Sequence, residues 1–132
     1  MILLDTVVVS ELRKARPSSR VLAWAGQYSE DAFFISVVTI GEIERGIART
    51  RDEGFREELE RWLDGLLRRY GDRLLDVTAP IARLWGRWTA EFGHEGVDLL
   101  IAATANVHGL TIATRNVRHF QRTGVAVVDP FR

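Results

Sequence analysis

Five short apolar runs alternate with helical stretches along this chain, and that alternation leaves few folds open. The runs fall at residues 1–5, 32–36, 73–77, 110–113 and 125–128. The first is too uniformly apolar for a half-exposed strand, and all five read as short strands of a parallel sheet. Between them the apolar residues return at helical spacing. Val8 and Leu12 fall on one face of a helix from Thr6, its expected cap, to about Arg13. Val21, Trp24, Ala25 and Tyr28 form a stripe after Pro17-Ser18-Ser19, and Ile40, Ile43 and Ile47 another across Val38–Ala48. Residues 52–70 carry Phe55, Leu59, Trp62, Leu63 and Leu66 on one side and charges on the other. Thr78 and Pro80 start a helix with Ile81, Leu84, Trp85, Trp88 and Phe92 along it. Val97–Val107 is apolar nearly all round, and Arg115–Arg122 reads as a short helix. The expected architecture is a three-layer α/β/α fold around a parallel sheet. There is no linker, internal repeat or low-complexity segment, so residues 1–132 are read as a single domain.

Charge and composition remove several classes of function. Eighteen basic and 18 acidic residues cancel, so no whole-molecule field draws the chain to nucleic acid or membranes, and any such contact needs a local patch. The absence of cysteine excludes disulfides and thiolate metal sites, and it fits a reducing compartment, here expected to be the cytoplasm. No apolar run approaches the roughly 18 residues of a membrane span, and Asp5 interrupts the apolar start too early for a signal peptide. Lys14 is the only lysine among 18 basic residues. Arginine suits bidentate phosphate binding, although a GC-rich genome gives the same skew.

Polar residues at the ends of these elements carry the chemistry. In open parallel sheets the functional crevice lies beyond the carboxyl ends of the strands, where strand order reverses. Asp5 ends the first strand, Asp98 opens the small-residue helix, and Asn116 is expected in the first turn after the fourth strand. Glu42 lies off the isoleucine stripe of its helix, facing either solvent or the crevice. Carboxylates gathered without lysines call for a hard divalent cation such as Mg²⁺, and such a cation suggests phosphate chemistry. Each residue also has an ordinary structural reading: helix cap for Asp5, helix-start acid for Asp98, solvated helix residue for Glu42, turn residue for Asn116.

The blocks MILLDTVVVSEL, PSSRVLAWA, ISVVTIGEIERGI, VDLLIAATANVHGLTIATRNVRHF and VVDPF follow in order along the whole chain. Together they resemble the PIN-domain ribonucleases of the VapC toxin type, nearest the FitB-like branch. The resemblance implies a five-stranded parallel sheet of order 3-2-1-4-5. It places Asp5, Glu42, Asp98 and Asn116 at the catalytic acidic-cluster positions, with Asp5, Glu42 and Asp98 as ligands of Mg²⁺ or Mn²⁺. Thr6 and Thr114 would support the cluster, and Arg115, Arg118 and Arg45 are candidates for holding the RNA backbone. The implied reaction is cleavage of single-stranded RNA by a metal-activated water, leaving a 5′-phosphate and a 3′-hydroxyl. The implied partners are a VapB-type antitoxin, a second copy of the toxin, and operator DNA reached only through the antitoxin. Part of the surface bearing Trp24, Trp62, Trp85 and Trp88 would receive an antitoxin helix, with most of these rings in the core.

The chain departs from the family pattern in three places. Val7 stands where an asparagine is common, Asn116 is a neutral form of an often acidic position, and His119 replaces an acid before Phe120. These departures define the alternative, a catalytically weakened PIN-like module that binds RNA or protein. A receiver domain is excluded, because strand three leads into Thr78-Ala79-Pro80 and the only lysine is Lys14. A flap-type nuclease would need arch and duplex-binding segments for which 132 residues leave no room.

Overall fold

The computed structural model describes residues 1–132. Strand β1 (Ile2–Leu4) leads into α1 (Thr6–Arg13) and α2 (Ser19–Ala25); β2 (Phe33–Ser36) into α3 (Val37–Ala48) and α4 (Glu53–Tyr70). Then come β3 (Leu74–Leu75), α5 (Ala79–Phe92), α6 (Val97–His108), β4 (Thr111–Ala113), a 3-10 helix (Val117–Thr123) and β5 (Val127–Val128). The five strands pair in parallel in the order β3-β2-β1-β4-β5. The expected three-layer architecture and strand order are both present.

Alternation along the strands builds two cores. Ile2 and Leu4 point into one cluster with Val8, Val21, Ile43 and Leu63, while Leu3 points into the other with Ile101, Ala102 and Phe120. In β2, Phe33 and Ile35 join the first cluster and Phe34 packs against the second. Each face is therefore covered by helices, which is why the strands contain so little polar sequence. No helix is long and apolar enough to cross a membrane.

Sheet topology positions the site. From β1 the chain moves to β2 on one side and later to β4 on the other, so β1 and β4 flank the reversal of strand order. Leu4 is registered opposite Ala113, which brings Asp5 and Thr114 to the same edge. Gly109 helps to fix that register. Its φ of +67° turns the chain out of α6 and lets Leu110 N–H reach Ala105 C=O at 2.8 Å. A Cβ at Gly109 would meet nothing within 4 Å, so its conformation is the only obstacle to substitution. Gly109→Ala is expected to cost about 1–2 kcal/mol, read as a lower urea midpoint with an unchanged slope.

Several local expectations need correction. Asp5, not Thr6, caps α1, with its side chain accepting from Thr6 N–H. Strands β3 and β5 are two residues each, and residues 30–32 form a 3-10 turn before β2. Tyr28 lies beyond the end of α2, and Phe55 is 42% exposed, beneath the guanidinium of Arg13. The segment after β4 is a 3-10 helix, and Asn116 precedes it rather than occupying its first turn. Phe120 is the only buried residue of that segment; one anchor without a 3.6-residue stripe gives no packing reason for an α-helix.

Candidate functional site

Asp5 is at the centre of the site and is only 5% exposed. Its main chain continues the sheet, with Asp5 N–H donating to Ala113 C=O at 3.0 Å, while its own C=O starts α1. One carboxylate oxygen accepts from Thr6 N–H at 2.9 Å and the other from the Thr114 hydroxyl at 2.7 Å. Burial raises the Asp5 pKa above its ordinary value; the bonds from Thr114 and Thr6 oppose the shift, and the charges of Asp98 and Glu42 add to it. Three carboxylates therefore share this edge, and no arginine, lysine or histidine pairs with the central one.

The other members are held by neighbours. Thr6 donates its hydroxyl proton to Glu42 Oε1 at 2.6 Å, and its oxygen lies 3.2 Å from that of the fully buried Thr39. Glu42 Oε2 stands 3.9 Å from the Arg45 guanidinium, a loose contact on the outside of the site. Asp98 sits in the first turn of α6, where the helix dipole favours negative charge, and its Oδ2 lies 2.8 Å from His119 Nδ1. Asn116 is exposed, and its backbone holds the corner. Its N–H donates to the Thr114 hydroxyl at 3.0 Å and its C=O accepts from His119 N–H at 3.0 Å. Thr114 thus links the Asn116 main chain to the Asp5 carboxylate.

The chemistry of this donor set suits a hard cation, because a buried carboxylate flanked by two others lacks a positive partner. The side-chain arrangement is less closed than the sequence suggested. No three His, Cys, Asp or Glu side chains stand at metal-holding spacing. Glu42 is bound to Thr6 and Asp98 to His119, so two of the three expected ligands have protein partners. Val7 packs against the first core cluster, so no polar side chain stands there beside Asp5.

An arginine-lined groove of about 470 Å³ is bordered by Arg115, Asn116, Arg118, Arg132 and His119, the residue in contact with Asp98. The Arg115 guanidinium stacks 3.7 Å over the Phe131 ring. Asp129 is the one acid on this groove, 3.4 Å from Arg132. Arg118 also borders a second, smaller pocket that contains Asp98.

Two polar contributors were missed in the sequence. Thr39, buried under the Thr6–Glu42 contact, looked like one more residue of an apolar helix. Glu11 is buried between α1 and α2, accepting from Lys14 Nζ and from Ser18 N–H, each at 2.9 Å. The Lys14 bond, then the Ser18 bond, holds its carboxyl below the usual range. The i,i+3 spacing from Glu11 to the lone lysine was the available signal. Of the tryptophans, Trp24 is in the core against Phe33, while Trp62, Trp85 and Trp88 are half-buried.

Comparisons with known proteins show the family. The PIN domain family model matches residues 2–126. The chain is 34% identical to Toxin FitB of Neisseria gonorrhoeae over 137 aligned positions, covering 99% of each chain. It is 32% identical to the VapC ribonuclease Y4jK of Sinorhizobium fredii, covering 99% of this chain and 98% of that one. Among solved structures it is similar to FitAcB from Neisseria gonorrhoeae, with a TM-score of 0.89, 33% identity, and 100% and 99% of the two chains covered.

Proposed function

The chain belongs to the PIN-domain family, within the VapC/FitB toxin branch of type II toxin–antitoxin systems, and from that premise we propose that it is a divalent-metal-dependent endoribonuclease cutting single-stranded RNA. The observation carrying this reading is the buried Asp5 carboxylate, bound by Thr114 and Thr6 N–H and flanked by Asp98 and Glu42. Asp5, Asp98 and Glu42 would hold a Mg²⁺ or Mn²⁺ ion. Such an ion, when bound, supplies Lewis acidity toward a phosphodiester and lowers the pKa of water. Thr114 and Thr6 fix the orientations of Asp5 and Glu42. Asn116, with its side chain at the solvent edge, would meet the strand beside the acids. Arg115 and Arg118 line the groove in which a phosphate backbone would run, with Arg45 beside Glu42 as a third cation.

The partner proposed is an antitoxin, with operator DNA reached only through it; the similar FitAB structure is bound to a DNA fragment. An apolar groove of about 340 Å³ suits one of its helices: Leu12, Tyr28, Phe33, Trp62, Leu66 and Tyr70 line it, and Arg13, Arg69 and Glu30 also border it. A homodimer of the toxin completes the proposed assembly.

The test is incubation of purified, antitoxin-free protein with total bacterial RNA, with Mg²⁺ or Mn²⁺ against EDTA, followed by mapping of new 5′ ends. Discrete metal-dependent cuts are expected. A second reading, a PIN-like module that binds without cutting, is favoured by the pairing of Glu42 and Asp98 with protein groups and by the neutral Asn116. RNA affinity without cuts at any metal concentration would select it.

His119 gives a further prediction. Its contact with Asp98 orients a proposed metal ligand, as supporting groups around metal sites do. His119→Ala is expected to weaken Mn²⁺ binding about 10- to 100-fold by titration calorimetry. Unchanged affinity would make the contact incidental.

A further inference from the structure

We propose that the pocket between the end of α5, residues 93–96, the start of α6 and the 3-10 helix holds one nucleobase of the RNA, a guanine next to the scissile phosphate. The inference rests on the ribonuclease reading for the identity of its ligand. Its volume is about 190 Å³, below that of a typical small-molecule site and suited to one flat ring system. Asp98 and His119 form part of its wall, so an occupant lies directly beside the acidic edge.

One wall of the pocket carries a preformed stack. Trp88 and Phe92 lie with their ring centres 6.2 Å apart, and the Arg122 guanidinium lies 4.5 Å over Phe92. With Trp88 and Arg122 already on the Phe92 ring, a base meets Arg122 edge to edge rather than stacking on the column. Phe92 holds the guanidinium plane in place, so little ordering is needed when a base arrives.

The free polar groups decide which base fits. Neither Arg118 nor Arg122 is paired with a carboxylate, and Arg122 commits one N–H, at 3.4 Å, to Phe92 C=O. Gly96 N–H donates to His94 Nδ1 at 3.1 Å, which leaves the proton of the neutral ring on Nε2 as a free donor. With Asp98 Oδ2 taken up by His119, the pocket offers mainly N–H donors. Guanine presents two adjacent acceptors, O6 and N7, to such a set, and arginine reads that edge with both N–H groups. Adenine places an amino donor beside N7, cytosine sets its amino group beside its own N3 and O2 acceptors, where a further N–H donor would meet it, and uracil lacks an adjacent acceptor pair. The donors thus select guanine.

Binding in EDTA tests this without any chemistry. Short oligouridylates carrying one central guanosine, adenosine or cytidine are titrated into wild-type protein and followed by fluorescence anisotropy. The guanosine strand is expected to bind about tenfold more tightly than the others, the discrimination of one bidentate arginine. Arg122→Ala should erase that preference, and Arg122→Lys, which keeps the charge but not the planar fork, should erase most of it. The mapped cuts should carry guanosine at a fixed position in wild type and lose that bias in the variants. Equal binding of all strands, a preference for another base, or selectivity surviving Arg122→Ala would overturn the assignment. Metal-dependent cuts without base bias would remove the pocket and leave the ribonuclease. Guanine-selective binding without cuts would keep the pocket and remove the ribonuclease.

Discussion

Asp98→Asn is expected to lower metal-dependent RNA cleavage by well over 10²-fold, because loss of a group that merely supports a metal site already costs about 10–100-fold. The substitution removes one negative charge and little else. Asparagine keeps the shape of the side chain, and its amide oxygen can still accept from His119 Nδ1. Asp98 is not the cap of α6, a position held by Gly96, so no backbone N–H depends on its carboxylate. The structural cost is confined to the helix-dipole term, about 0.3–1 kcal/mol, which moves the melting temperature by a few degrees at most. Circular dichroism should overlay the parent. A variant that cuts RNA at the parental rate would remove Asp98 from the machinery. A variant that loses its helical signal would assign the residue a structural role.

That separation is possible because the Asp98 carboxylate caps no helix, and the candidate site and the fold were unequally legible in the sequence. Layering and strand direction were legible because the strands are buried on both faces, and continuous runs such as Ile2-Leu3-Leu4 have no other comfortable environment. The long helix α4 announced itself by its stripe, with Leu63 and Leu66 buried as expected. Its first turn did not, because Phe55 repeats at the right spacing yet sits at the solvent edge under Arg13. Periodicity reports which face a residue occupies and not how far the neighbouring layer extends. The segment after β4 misled for a related reason, since charged residues around one buried Phe120 do not distinguish an α-helix from a 3-10 helix.

The candidate site divides in the same way. Thr114 beside Asp5 was implied by the resemblance alone; the structure brings them together because they follow directly on neighbouring strands, and strand register is a rigid constraint. Glu42 could be placed only to a choice of faces, because its direction is set by Thr6 and Thr39, and hydroxyl contacts leave no trace in a hydrophobic pattern. The contact of His119 with Asp98 was less legible still. It depends on the turn geometry at Asn116, where one backbone accepts from His119 N–H and donates to Thr114. Side-chain direction at a loop corner is a tertiary result.

Asp5→Asn should abolish cleavage and, in EDTA at neutral pH, melt at a higher temperature than the parent. Asparagine is as good a helix cap as aspartate, so the contact with Thr6 N–H persists. Its amide can donate to the Thr114 oxygen, which costs the hydroxyl its acceptor, a loss of about 0.5–1.5 kcal/mol. Against that, the variant no longer buries a charge beside Asp98 and Glu42. The pH dependence gives the sign. The folded-state pKa of Asp5 is raised above its ordinary 3.8, so ionisation at higher pH opposes folding, and the penalty fades as pH falls through the raised value. The variant's advantage should therefore be greatest near neutrality, shrink as pH falls, and vanish only well below 3.8, where the parent carboxyl is neutral in both states. Glu11, whose pKa moves the opposite way, titrates in both proteins and cancels in the difference. Adding Mn²⁺ should reverse the order, since a ligand at a hundredfold excess over its Kd stabilises the parent by about 2.7 kcal/mol and the variant far less. A constant offset across pH, with Mn²⁺ raising both melting temperatures equally, would mean that the buried carboxylate is only a helix cap.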